Sequence, residues 1–145
     1  MKVFVDTNVL MDLIYAREPF DIAAKQLFLL GYKKQEVLLN VSALSFVNTV
    51  YTAHKYGLDI SEVKSKLHDV STFVIVLDYA GAAVVDSLSN SWADYEDSTQ
   101  YLTAKIFACD CIVSRDKKGF KDSSIKVMTP QEFLDSIAHR GAVSP

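Results

Sequence analysis

The sequence predicts an α/β domain built on a central, mostly parallel sheet of four to five strands flanked by helices. Three observations carry this. Short β-rich runs alternate with helix-patterned segments along the whole chain, and parallel strands need crossover helices of that kind. The apolar runs are short enough for strands and are bounded by capping residues. No repeat, low-complexity tract or Pro/Gly-rich linker interrupts the pattern, so one domain is placed at residues 1–138, with 139–145 expected as a frayed tail.

Each element has a local reason. Lys2 to Val5 is an apolar run that reads as a strand, and Thr7 to Tyr15 as a helix broken near Pro19. Phe20 to Tyr32 carries Ile22, Ala23, Leu27 and Leu30 at helical spacing. Val37 to Val41 reads as the second strand. Ser42 can cap a helix through Leu44, Val47 and Tyr51 that ends near Gly57. A helix from Ser61 to Val70 precedes the β-rich run Phe73 to Leu77. Asp78 to Ser89 and Asp94 to Ala108 read as helices, the second with Tyr101, Leu102, Lys105 and Ile106 in register. Cys111 to Ser114 and Lys126 to Met128 complete the strands. Thr129 then caps a last helix that has Pro130 at its first position.

Composition narrows the class. Half of the 145 residues are hydrophobic, enough for a sizeable core. No stretch is long and apolar enough for a membrane span. Asp6 and Asp12 interrupt the region a signal peptide keeps apolar, so the expected location is the cytoplasm. Cys109 and Cys111 provide neither a disulfide framework nor a zinc set, and read as small buried residues near a strand. The net charge of −3 speaks at first against a nucleic-acid partner. Setting aside Asp6, Asp94, Asp97 and Asp116 as one pocket leaves the remainder slightly basic, with clusters at Lys33-Lys34 and Arg115 to Lys121.

Those four aspartates are the chemical signal. Asp6 and Asp116 follow two strands that should be parallel, so both should emerge at one sheet edge. Asp94 and Asp97 are three apart at the start of one helix. Each has an ordinary explanation as a cap, a turn opener or a partner of the helix dipole. Together they would repel unless protons or cations intervened. Hard oxygen ligands suit Mg²⁺ or Mn²⁺, and two such ions about 4 Å apart can drive phosphodiester hydrolysis.

The runs VFVDTNVLMD, DYEDSTQYLTA, IVSRDKKGF and VMTPQEFL, in that order, resemble the PIN-domain family, which includes the VapC-type toxins of toxin–antitoxin pairs. The resemblance covers nearly the whole chain. It implies a PIN-like three-layer sandwich and a cluster of acids that binds one or two Mg²⁺ or Mn²⁺ ions to cleave RNA, leaving a 5′-phosphate and a 3′-hydroxyl. It assigns Asp6, Asp97 and Asp116 as catalytic metal ligands, Asn8 and Ser114 as supporting groups, and leaves Asp94 as ligand, supporting group or cap. Arg115 and Lys117 are candidates to meet substrate phosphates. One position departs from the pattern. The frame that begins at Ser42 places Asn48 where the family usually has a glutamate, and an amide brings neither charge nor a general base.

Two functions follow. The first is a metal-dependent endoribonuclease, the toxin of a toxin–antitoxin pair, with a homodimer and a small antitoxin as the partners the resemblance implies. The second is a non-catalytic RNA-binding or protein-interaction module whose metal site Asn48 has weakened. His54, His68 and His139 lack metal-binding spacing. Trp92 is open to base stacking or to packing.

Overall fold

The computed structural model describes residues 1–33 and 36–143. The described elements, in chain order, are β1 (Lys2–Val5), α1 (Thr7–Ile14), α2 (Asp21–Lys33), β2 (Leu38–Ser42), α3 (Ala43–Lys55), α4 (Ile60–Ser71), β3 (Ile75–Leu77), α5 (Gly81–Asp86), α6 (Tyr95–Ile106), β4 (Cys111–Val113), β5 (Lys126–Met128) and α7 (Pro130–Val143). The sheet runs β3-β2-β1-β4-β5 and every pairing is parallel. Strand order therefore reverses at β1, where the chain first builds outward to β3 and then returns to add β4 and β5.

Alternation along the strands sorts side chains into two layers. Val3, Val5, Leu39, Val41, Cys111 and Val113 pack with Leu10, Leu27, Phe28 and Phe133. Phe4 and Ile112 point the other way, onto Tyr101, Ala104 and Phe120. Helices α1, α2, α3, α4 and α7 cover the first face, and α6, with α5 against it, covers the second. This is the three-layer PIN-like sandwich the sequence predicts. Gly31 lets α2 lie close on β2, since a Cβ there would come 2.5 Å from Leu39.

Helix ends follow the predicted caps. Ser42 Oγ accepts from Ser45 N at 3.2 Å. Thr129 and Glu132 form a reciprocal capping box, with each side chain accepting from the other's backbone N–H. Cys109 and Cys111 are free and buried, and burial pushes both thiols up to about 11. Trp92 stacks on Tyr101 with centroids 4.8 Å apart and meets Phe120 edge-on, which gives it the packing role.

Three spans differ from expectation. The third strand begins at Ile75, not Phe73, because Phe73 and Val74 still bond back to Val70 of α4. Only Gly81–Asp86 of the stretch from Asp78 to Ser89 is helical. Helix α7 continues to Val143, so 139–143 are helical where a frayed tail was expected. Lys34 and residues 144–145 lie outside the described residues. No described helix is long and apolar enough to cross a membrane.

Candidate active site

The register of β1 against β4 pairs Val5 with Val113. The next residues, Asp6 and Ser114, therefore leave the sheet side by side at the carboxyl edge. Crevices at such a reversal of strand order are where open α/β sheets bind ligands. Asp6 is 3% exposed. It caps α1 by accepting from Thr7 N at 2.8 Å, and its other oxygen accepts from Ser114 Oγ at 2.7 Å. Asp6 is thus the cap of α1 and at the same time lines the cleft.

Ser114 is the hub of this corner. Its hydroxyl donates to Asp6 and accepts from Asp116 N at 3.0 Å and Asn8 Nδ2 at 3.3 Å. The amide oxygen of Asn8 in turn accepts from Arg115 N at 3.3 Å. One buried hydroxyl therefore ties β4, the loop after it and α1 to the first aspartate.

Helix α6 closes the opposite wall. Asp94 is exposed, and its carboxylate turns back to accept from Asp97 N at 2.9 Å. That is the cap among the three roles open to it. Three carboxylates, from Asp6, Glu96 and Asp97, present oxygens that all lie within 4.8 Å of one another. Glu96 was not singled out by the sequence reading. It is held by Gln100, one turn on, whose Nε2 donates to Glu96 Oε1 at 3.0 Å. Gln100 is itself fully buried and bonded to Thr7 and Ser45 at 3.0 and 3.1 Å. The available signal was this glutamate–glutamine spacing of four on a helix facing the sheet edge.

Asp116 is exposed on the rim of the same cleft, outside the tight triad. Its Oδ1 accepts from Gly119 N at 3.1 Å. Gly119 lies between Asp97 and Asp116. A Cβ there would overlap Asp97 Oδ2 and stand 2.9 Å from Asp116 Oδ2. Asn48 lines the cleft as well, with Arg17 and Arg115. Lys117 instead pairs with Glu132 at 3.0 Å and does not line it.

Among the described residues no cation is paired with Asp6, Glu96 or Asp97, since Arg17 and Arg115 are both bonded to Asp12. Burial pushes Asp6 up to about 6, against the hydrogen bond from Ser114, and Asp97 and Asp116 add to the rise. Burial and then the charges of Asp94 and Glu96 push Asp97 up to about 7. Glu96 is raised by burial and by Asp6. Oxygen-only donors, clustered and destabilised as anions, fit a hard divalent cation. His54, His68 and His139 are all exposed and none lines this cleft.

A parallel α/β fold with an acidic cleft at its strand-order reversal defines the class, and comparison with known proteins defines the family. A family model described as PIN domain matches residues 2–118, and the chain belongs to that family. It is 32% identical over 142 residues to Ribonuclease VapC1 of Aquifex aeolicus, covering 92% of this chain and 94% of that relative. Among solved structures it resembles VapBC2 from Rickettsia felis, a complex with promoter DNA, at a TM-score of 0.64 and 14% identity over 89% of this chain and 98% of that one. A toxin–antitoxin complex from Klebsiella pneumoniae matches at a TM-score of 0.61 and 23% identity, over 88% of this chain and 97% of that one.

Proposed function

We propose that the protein is a metal-dependent endoribonuclease and the toxin of a toxin–antitoxin pair. The observation that carries this is the triad Asp6, Glu96 and Asp97 at the carboxyl edge of the sheet, with Asp116 on its rim. Support comes from the similarity to a relative named a ribonuclease and from the likeness to a toxin–antitoxin complex. When bound, Mg²⁺ or Mn²⁺ would supply cationic charge to this cluster and activate water toward an RNA phosphodiester.

The chain's own residues have distinct tasks in this proposal. Asp6 is the fixed ligand, because Thr7 N and Ser114 Oγ leave its carboxylate one orientation. Asp97 and Asp116 ligate from the opposite wall and the loop, spaced by Gly119. Glu96 supplies the carboxylate that Asn48 withholds. The amide of Asn48 then faces a site whose fourth acid comes from α6 instead of α3. The proximity of Glu96 to Asp6 and Asp97 favours the enzyme over the non-catalytic module that Asn48 suggests. Asn8 and Ser114 orient the acids. RNA is the proposed substrate, with a small antitoxin and a second copy of the chain as proposed partners.

Replacing Asp97 by Asn preserves shape and removes the charge. RNA cleavage in Mn²⁺ should fall by orders of magnitude while circular dichroism stays unchanged. Cleavage retained by the folded variant would sink the assignment.

A further inference from the structure

The acidic cleft has a second wall of opposite sign. Asp12, on α1, is completely buried, and a buried carboxylate needs compensation. It receives two arginines. Arg17 Nε donates to Oδ1 at 2.8 Å. Arg115 forks onto both oxygens, Nε to Oδ2 at 2.5 Å and Nη2 to Oδ1 at 3.2 Å.

Each guanidinium is fixed a second time. Arg17 Nη2 donates to the Asn8 carbonyl at 3.0 Å. Arg115 lies over the Phe20 ring, 3.9 Å from its centroid. Neutralising Asp12 takes one cation, so the second is surplus. Nη1 of either arginine has no hydrogen-bond partner among the described residues. Both side chains remain about a third exposed, at 35% and 29%, and they are the only cations among the described residues lining the cleft.

We propose that Arg17 and Arg115 form a preorganised clamp for an RNA phosphate adjacent to the one cleaved, with Asp12 as the residue that positions them. This rests on the ribonuclease reading of the site. A polyanion entering the cleft meets carboxylates at one wall and needs cations for its flanking phosphates. Arginine suits that task because its planar fork presents donors in a fixed geometry. Holding both guanidinia on Asp12 and Phe20 removes much of the side-chain entropy that binding would otherwise cost.

The test is binding of a short fluorescent single-stranded RNA by Asp97→Asn protein in Mg²⁺, followed across a salt series, with wild-type cleavage measured in parallel. Arg17→Gln and Arg115→Gln should each weaken binding about tenfold and reduce the log–log salt slope by about 0.7. Asp12→Asn adds positive charge, yet should also weaken binding, because the arginines lose their anchor. A purely electrostatic role predicts tighter binding instead. Should Asp12→Asn not fold, Phe20→Ala on the surface tests the same anchoring and should cost severalfold in affinity. Calorimetric Mn²⁺ affinity in the arginine variants should equal or exceed that of the parent.

Unchanged RNA affinity and slope in both arginine variants would overturn the clamp and leave the ribonuclease reading intact. Loss of affinity for an acidic peptide, with RNA binding unaffected, would overturn it in favour of a protein partner. RNA binding that depends on the arginines in a wild-type protein that cleaves no RNA would support phosphate binding by the pair but overturn its place beside a cleaved phosphate, together with the nuclease. No RNA binding by the parent would overturn both.

Discussion

The raised pKa of Asp6 makes the stability of the metal-free protein fall as pH rises, which is opposite to the usual behaviour of paired carboxylates. In the folded chain Asp6 titrates at about 6, against 3.8 for the ordinary side chain. The native state holds the proton more tightly than the unfolded chain. The associated stability is complete below about pH 4 and is lost as pH climbs to about 6. A shift of roughly two units corresponds to about 3 kcal/mol, or roughly 6–12 °C in Tm for a chain of this size.

The assay is thermal unfolding in EDTA from pH 4.5 to 8, for wild type and Asp6→Asn side by side. Asparagine presents an N–H toward a Ser114 hydroxyl that already accepts from Asn8 and Asp116, which offsets the variant by an amount that does not depend on pH. Wild type should lose several degrees relative to the variant across the window. Saturating Mn²⁺ should recover the loss at high pH, because a ligand of the native state stabilises it by mass action. A wild-type-minus-variant difference that is flat in pH would refute the reasoning that this carboxylate is buried without a counter-charge.

Further outcomes follow from the same geometry. Gly119→Ala should push apart Asp97 and Asp116, cost about 1–3 kcal/mol of stability and weaken Mn²⁺ binding at least about tenfold by calorimetry. Glu96→Gln should reduce Mn²⁺ affinity roughly 10–100-fold, and adding Asn48→Glu to it should recover part of the loss by returning a carboxylate from α3. Phe133, a fully buried residue of α7, should cost about 3–5 kcal/mol as Phe133→Ala in urea unfolding, with Mn²⁺ affinity unchanged in the folded fraction.

Strand alternation and caps are local, so they were legible in the sequence. Asp6 illustrates this, since an apolar run, an acid and a helix pattern are all written within a few residues. The parallel arrangement of β1 to β4 then followed, because helices separate each of these strands from the next, whereas β4 and β5 pair in parallel across a loop without a helix. The composition of the site was legible only in part. Asp94 and Asp97 share a helix face by spacing, but Asp94 is the cap, with extended backbone at φ −110° and ψ 120°, and its carboxylate is spent on Asp97 N. Glu96 reaches the cleft because a buried Gln100 pulls it toward Thr7 and Ser45. The spacing of Glu96 and Gln100 is local, but the contact that anchors Gln100 on Thr7 joins residues 93 positions apart and has no local signature. Asp12 was similar. A neighbouring basic partner is readable from sequence and is found in Arg17, five residues on, but the second partner, Arg115, lies 103 residues away. Lys117 looked like a cleft residue beside Asp116, but the turn that bonds Gly119 back to Asp116 carries it toward Glu132.

The central claim is that β1 delivers Asp6 to the sheet edge to hold a divalent cation for RNA hydrolysis. Its most direct test incubates a panel of structured RNAs with purified protein in Mn²⁺, in EDTA, and in Mn²⁺ with Asp6→Asn. Cleavage in Mn²⁺ that disappears in EDTA and in the folded variant is the predicted result. Cleavage that survives either change, or none at all by a folded protein that binds Mn²⁺ and RNA, would contradict it.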